Sequence, residues 1–466
     1  MSEKGKKSSE AIREAPLIQG NEKPILKNSE DSDTKGKHNN IFDINSTEKK
    51  GEEPAPLKSD EKGSKVEKSE KSKSGEAAPE KNLLEAAESE YISPQFIKTE
   101  EQKPLKLKLA RHIAAGAMLI LSLLVLIISR ASRSFADWFC FNIYPVFSGI
   151  GSRIWGVFPF SCAELLVVLV IVGALTGLVF LVRYTITHKG QRIKAFFNGF
   201  SWAELVASAL FLTVTFNCLV GYNRTPFSQY SGLTLRQYTT EELKELTLSL
   251  IEQANEIAER VDLDSEGRPV KPYDFNKYAV KAMEALGEKY EVLKTYYPQP
   301  KGVLCSGLMS SFNLAGIYFP VTVEANFNQA MPVSSQAFTA CHELSHLSGF
   351  IREDEANFIA FMACRESEST YFRYSGYLGA LTYALNALHG AVSGEEYNEV
   401  CGKLSPVILK EYAYRNEYWS PYQKKVTYKV SSVVNDTYLK ANNQTDGTKS
   451  YGRIVDLMLA EYFGDQ

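Results

Sequence analysis

Several things are scarce or missing in this sequence, and each gap closes off a class of explanation. No apolar core lies between Met1 and Asn40, so no cleavable secretory leader is expected. No CxxC pair occurs among Cys140, Cys162, Cys218, Cys305, Cys341, Cys364 and Cys401, and their wide spacing does not suit a disulfide scaffold, though the last four leave pairing open. The first three lie in or beside apolar runs, where cysteine acts as a small hydrophobe. An excess of one charge is also missing. The formal net charge is -3 and the pI about 6.2, which offers no basic surface and predicts no nucleic-acid partner. Histidine is rare, with 6 in 466 residues, so a close pair of them carries information.

Large apolar residues are sparse over residues 1–105. Runs such as Glu48-Lys49-Lys50-Gly51-Glu52-Glu53 mix both charges, and such a segment cannot bury enough surface to offset the entropy of ordering. A disordered, charged tail is expected there. The composition then reverses across a transmembrane region at 106–222. Ile113 to Ser129 carries no charge and is close to bilayer length, and Leu165 to Val182 repeats the pattern. Leu205 to Val220 is shorter and contains Asn217, and is taken as the third span. The bilayer is therefore an expected partner. Between the first two spans an aromatic stretch (Trp138, Phe139, Phe141, Tyr144, Trp155, Phe160), broken by Pro145 and glycines, reads as interfacial or re-entrant chain.

Basic residues flank these runs unevenly. Lys103, Lys106, Lys108 and Arg111 precede the first span, and Arg183, Lys189, Arg192 and Lys194 fill the loop between the second and third. The positive-inside rule puts both groups in the cytoplasm, with Arg130, Arg133 and Arg153 opposing them less strongly. The tail is then cytoplasmic and the C-terminal region extracytoplasmic in a multi-pass protein.

Residues 226–466 have globular composition. Thr239 to Glu242 forms a capping box ahead of a helix whose Leu243, Leu246, Leu250, Ala254, Ile257 and Val261 recur at helical spacing. A second helix is expected over Phe275 to Tyr290. Gly316 to Val323 reads as a strand, and Pro320 within it argues for a sheet edge. A helix-rich segment follows from Ser335.

The chemistry concentrates at His342-Glu343-Leu344-Ser345-His346. Histidines four apart on a helix project from one face and can share a zinc ion, with the intervening Glu placed to take a proton from the attacking water. Gly349 allows a left-handed turn that brings the chain back. A helix from Glu353 then puts Glu353, Ala356, Asn357 and Ala360 on one face. Glu353 is the preferred third ligand by that argument and Glu355 the alternative, with Asn357 one turn on as a hydrogen-bonding support. Gly316 to Asn326, ending near Ala325 and Asn326, is a candidate edge for pairing with an extended substrate. Tyr438, Tyr451 and His389 are polar candidates for stabilising an oxyanion.

HExxH followed by a separate E-x-x-A-N helix resembles the gluzincin metallopeptidases. More narrowly, the segments Ile317 to Pro332, His342 to Phe361 and Asn435 to Leu457 resemble an uncharacterised family of bacterial membrane proteins with a zincin-like domain after a few spans. The resemblance runs from about the first span to the end. It implies that His342, His346 and Glu353 bind zinc and that Glu343 is the base, in a protein of the bacterial cell membrane. It supplies no substrate. The short gap between His346 and Glu353 departs from the gluzincins, and Arg352 occupies the position of the third metzincin ligand. The expected architecture is α+β and mostly helical: a three-span anchor, then a zincin-like domain with a short edge-stranded sheet and an HExxH helix. The expected function is zinc-dependent hydrolysis of a peptide or protein. The competing expectation is a non-catalytic, metal-stabilised receptor or assembly module. An intramembrane protease ranks lower because the motif lies far along the chain from the last span, and a transporter ranks lower still.

Overall fold

The computed structural model describes residues 104–442, 444 and 447–464, so nearly all of the charged tail lies outside it. The chain from Leu105 onward forms one compact unit, with spans and C-terminal region packed together. Among the described residues, three helices are long and apolar enough to cross a membrane: α1 (Leu109–Ala131), α4 (Cys162–Thr187) and α5 (Arg192–Asn217). Between the first two, the aromatic stretch forms α2 (Arg133–Asn142) and α3 (Tyr144–Gly156).

The third span begins well before the apolar run that betrays it. Asn198, Ser201 and Glu204 hide its first turns from a hydropathy reading; Ser201 Oγ donates to the Asn198 carbonyl within the helix, while the partners of Asn198 and Glu204 come from elsewhere in the chain. Asn198 accepts from the Lys108 N–H (2.7 Å) and donates to the Lys106 carbonyl (3.0 Å), while Glu204 meets His112 Nδ1 at 2.5 Å. Paired in this way, polar groups are tolerated in an otherwise apolar helix.

Beyond the spans come α6 (Thr240–Ala258), α7 (Phe275–Lys289), β1 (Lys301–Val303), β2 (Gly316–Phe319), β3 (Glu324–Asn328), α8 (Val333–Leu347), α9 (Glu353–Arg365), α10 (Thr370–Ala391), α11 (Pro406–Gln423), α12 (Val426–Ala441) and α13 (Ile454–Phe463). The capping box at Thr239 and Glu242 is present, and Leu243, Leu246, Leu250, Ala254, Ile257 and Val261 are all buried in the main core. The sheet has order β1-β3-β2, with β3 parallel to β1 and antiparallel to β2. The single strand expected across Gly316 to Asn326 is thus a hairpin. Pro320 falls in the turn rather than in a strand, and β3 is central and buried. All seven cysteines are free thiols, and only Cys305 is exposed.

One contact per span fixes the C-terminal region to the same end of the three helices. Arg130, at the end of α1, donates to the Ala441 carbonyl (2.9 Å). Glu324 of β3 accepts the first N–H groups of α4, Cys162 (3.2 Å) and Ala163 (2.7 Å). Asn217, closing α5, donates to the Pro320 carbonyl (2.8 Å). The basic loop between α4 and α5 lies at the other end of those helices.

Candidate metal centre

Helix α8 carries His342, Glu343 and His346 along a wall of the core formed by Ala337, Ala340, Leu344 and Leu347, which are fully buried. The two imidazoles sit 4.6 Å apart between centroids. The chain then turns at Gly349, where φ is +91°, and a Cβ would come within 3.2 Å of the Tyr144 ring and 3.1 Å of Arg224 Nη1. Glycine satisfies both the left-handed backbone and the crowding. Beyond the turn, the Phe350 carbonyl lies 2.9 Å from His346 Nδ1, so Nδ1–H donates to it and Nε2 faces inward unprotonated when the ring is neutral.

Glu353 opens α9 and points into the same space. Its Oε2 is 3.2 Å from His342 Nε2 and 3.6 Å from His346 Nε2. One ligand atom from each of the three residues lies within 4.8 Å of the others. Burial opposes charge on His346, but the Glu353 carboxylate outweighs it and lifts the ring to about 9. Burial likewise raises Glu353, and the two imidazoles reverse this to hold it well below the usual carboxylate range.

The alternative ligand, Glu355, is not part of this group. It accepts from the Phe227 N–H (2.8 Å) and Arg352 Nη2 (2.7 Å), anchoring the chain that leaves α5. Glu353 and Glu355 lie on different faces of the same helical turn, which is why only one can meet the histidines.

Glu343 is buried beside the triad. Desolvation raises its carboxyl, the neighbouring imidazoles oppose that, and the Tyr318 N–H donates to it. The Ala315 carbonyl takes the Asn328 N–H (2.8 Å), so Ile317 and Phe319 bond toward β3 while Gly316 and Tyr318 aim their backbone groups at the open edge. That edge faces Glu343, and a Cβ at Gly316 would run into its carboxylate and Thr339. The edge available to a substrate is therefore β2. Ala325 and Asn326 lie on central β3, where Ala325 pairs with Tyr318 and Asn326 with both Ile317 and Lys301, so neither is on the β2 edge.

The triad opens into a pocket of about 500 Å³. Asn357 and Tyr383 line it side by side, and Tyr438 and Tyr451 line it as well. Tyr451 is buried near Glu353, and Asn435 Nδ2 lies 3.3 Å from its hydroxyl. Tyr438 instead meets Cys218 Sγ at 3.6 Å. His389 is elsewhere: it ends α10, edge-on to Tyr397 at 4.8 Å, and is not a lining residue. Its selection rested only on being a polar residue of the domain. Several lining residues, Tyr383, Arg415 and Trp419 among them, have no local sequence motif around them that would mark them. Val214 and Cys218, at the end of α5, also line the pocket, so the triad is near a span in space although far from it along the chain.

The comparison with curated proteins found no match, and neither did that with solved structures. Residues 139–459 match the family described as "Protein of unknown function (DUF3810)".

Proposed function

The chain belongs to the DUF3810 family, whose description assigns no activity, and we propose from its own site that it is a membrane-anchored, zinc-dependent hydrolase acting on peptide bonds. The observation that carries this reading is the convergence of His342, His346 and Glu353 beside a buried Glu343 in one pocket. The donors fit the metal. With Nδ1–H committed to Phe350, His346 can only offer Nε2 to a cation, and once that nitrogen gives up its proton its lone pair converges with Glu353 Oε2 on one point. Two imidazole nitrogens and one carboxylate also form a three-ligand set that leaves a position open, as catalytic zinc requires.

Zinc bound there would act as a Lewis acid toward the carbonyl and the attacking water. Glu343, held by the Tyr318 N–H, takes the proton as the water oxygen bonds to the carbonyl carbon. It returns that proton to the departing nitrogen as the C–N bond breaks. Tyr383 and Tyr451, kept protonated by burial, offer O–H donors for the developing oxyanion. The positive-inside pattern supports an extracytoplasmic site, since the basic loop and the domain lie at opposite ends of the spans.

Metal content and turnover of the full-length protein in detergent test the reading. One zinc per chain is expected, lost in His342→Ala and in Glu353→Ala. Glu343→Gln should retain zinc and lose about 10²–10⁴-fold in peptide hydrolysis. A folded, freshly purified protein without metal would overturn the proposal in favour of an assembly module.

A further inference from the structure

Arg415 is a buried cation that lines the pocket and forms no ion pair among the described residues. It is 6% exposed, and its Nη1 has no hydrogen-bond partner. Glu411, one turn earlier on α11, is within electrostatic reach of it but accepts from Ser334 Oγ, and among the described residues no carboxylate comes within ion-pair distance of the guanidinium. The Tyr412 ring lies 5.8 Å from Cζ. A guanidinium taken out of water without an anion costs several kcal/mol, a cost a bound anion would offset.

The surroundings narrow down that anion. Arg415, Trp419 and Gln423 are successive turns of α11 and all line the pocket, so one face of the helix addresses the ligand. Tyr383 stands within electrostatic reach of both Glu353 and Arg415, so the cation and the metal triad share one phenol as neighbour. Most of the remaining wall is apolar, including Leu314, Met331 and Phe338, and it includes the backbone edge of β2. A ligand meeting all of these has an extended backbone, apolar side chains and a single carboxylate.

We propose that Arg415 binds the free C-terminal carboxylate of a peptide substrate, making the site selective for peptide bonds near a C-terminus. This rests on the hydrolase reading and deepens it. Arg415 is then a specificity residue, and its planar fork suits bidentate pairing with a carboxylate.

The test uses full-length Glu343→Gln protein, which should bind without turnover, titrated calorimetrically with N-acetyl-leucyl-phenylalanine and with its C-terminal amide. The acid should bind at least tenfold more tightly than the amide. Adding Arg415→Met should reduce that ratio to below twofold at unchanged zinc content and unfolding temperature, and Arg415→Lys should retain part of it. Equal binding of acid and amide, an acid preference that survives Arg415→Met, or binding of neither peptide would overturn the proposal. Repeating the titration on chelator-treated protein separates the two readings. Discrimination by Arg415 without metal stands whether or not hydrolysis is found, whereas missing zinc in the untreated protein defeats only the hydrolase reading.

Discussion

His346 is the residue at which pH and metal compete. In the metal-free protein its folded value of about 9 exceeds the ordinary 6.5, so its pairing with Glu353 stabilises the fold below about pH 6.5. That contribution is lost as pH rises through about 9. Zinc binding has the opposite sign, because the ligand must be neutral. Apparent zinc affinity should therefore rise with pH up to about 9, with one proton released per ion. Calorimetry in buffers of different ionisation enthalpy measures that proton directly. Glu353 stays ionised throughout and adds no step. Gly349→Ala offers a steric test at the same scale. It forces a side chain into a left-handed backbone and against Tyr144, so a loss of about 1–2 kcal/mol, or more from the clash, is expected with reduced zinc occupancy. Thermal unfolding and metal analysis read the two effects. His342, Glu343, His346, Gly349 and Glu353 were all legible in the sequence because a helix and a turn place them by local geometry. Arg415 and Tyr383 were not, since their positions depend on how α10 and α11 pack against α8.

Glu324 joins the sheet to the second span. Its carboxylate accepts from the first turn of α4, from Thr322 Oγ1 (2.8 Å) and from Lys301 Nζ, and both partners of the Lys301 pair are buried. Glu324→Gln leaves the lysine charge uncompensated, and removing one partner of a buried pair costs about 3–5 kcal/mol. Lys301→Met should cost less, because Glu324 keeps its remaining donors. Chemical denaturation of the two variants in micelles checks the ranking, and a larger loss in Lys301→Met would refute it. Elements defined by local chemistry, such as the α6 capping box, could be read directly. The α5 boundary could not, because its polar first turns find partners in and around α1. The β2–β3 hairpin was taken as one strand because the turn at Pro320 contains no glycine, and Val323 adopts φ +52° despite its branched side chain.

At the scale of the whole molecule, the three long apolar helices among the described residues agree with the three spans read from composition, and the C-terminal region is fixed to one end of them. What composition could not reveal is how closely the two parts join, since a hydropathy profile contains no contacts between distant segments. The native thiols offer a way to determine orientation. Cys305 is exposed on the C-terminal region while the other six cysteines are buried. A membrane-impermeant maleimide added to intact cells should label Cys305 alone if the domain faces outward, and labelling only after lysis would reverse the topology.

The three tethers at Ala441, Glu324 and Pro320 have a consequence for reach. A catalytic domain on a flexible stalk samples many heights above a bilayer, but one pinned to the ends of three helices samples only one. The pocket would then act as a gauge, meeting only those chain ends that arrive at a set distance from the lipid surface.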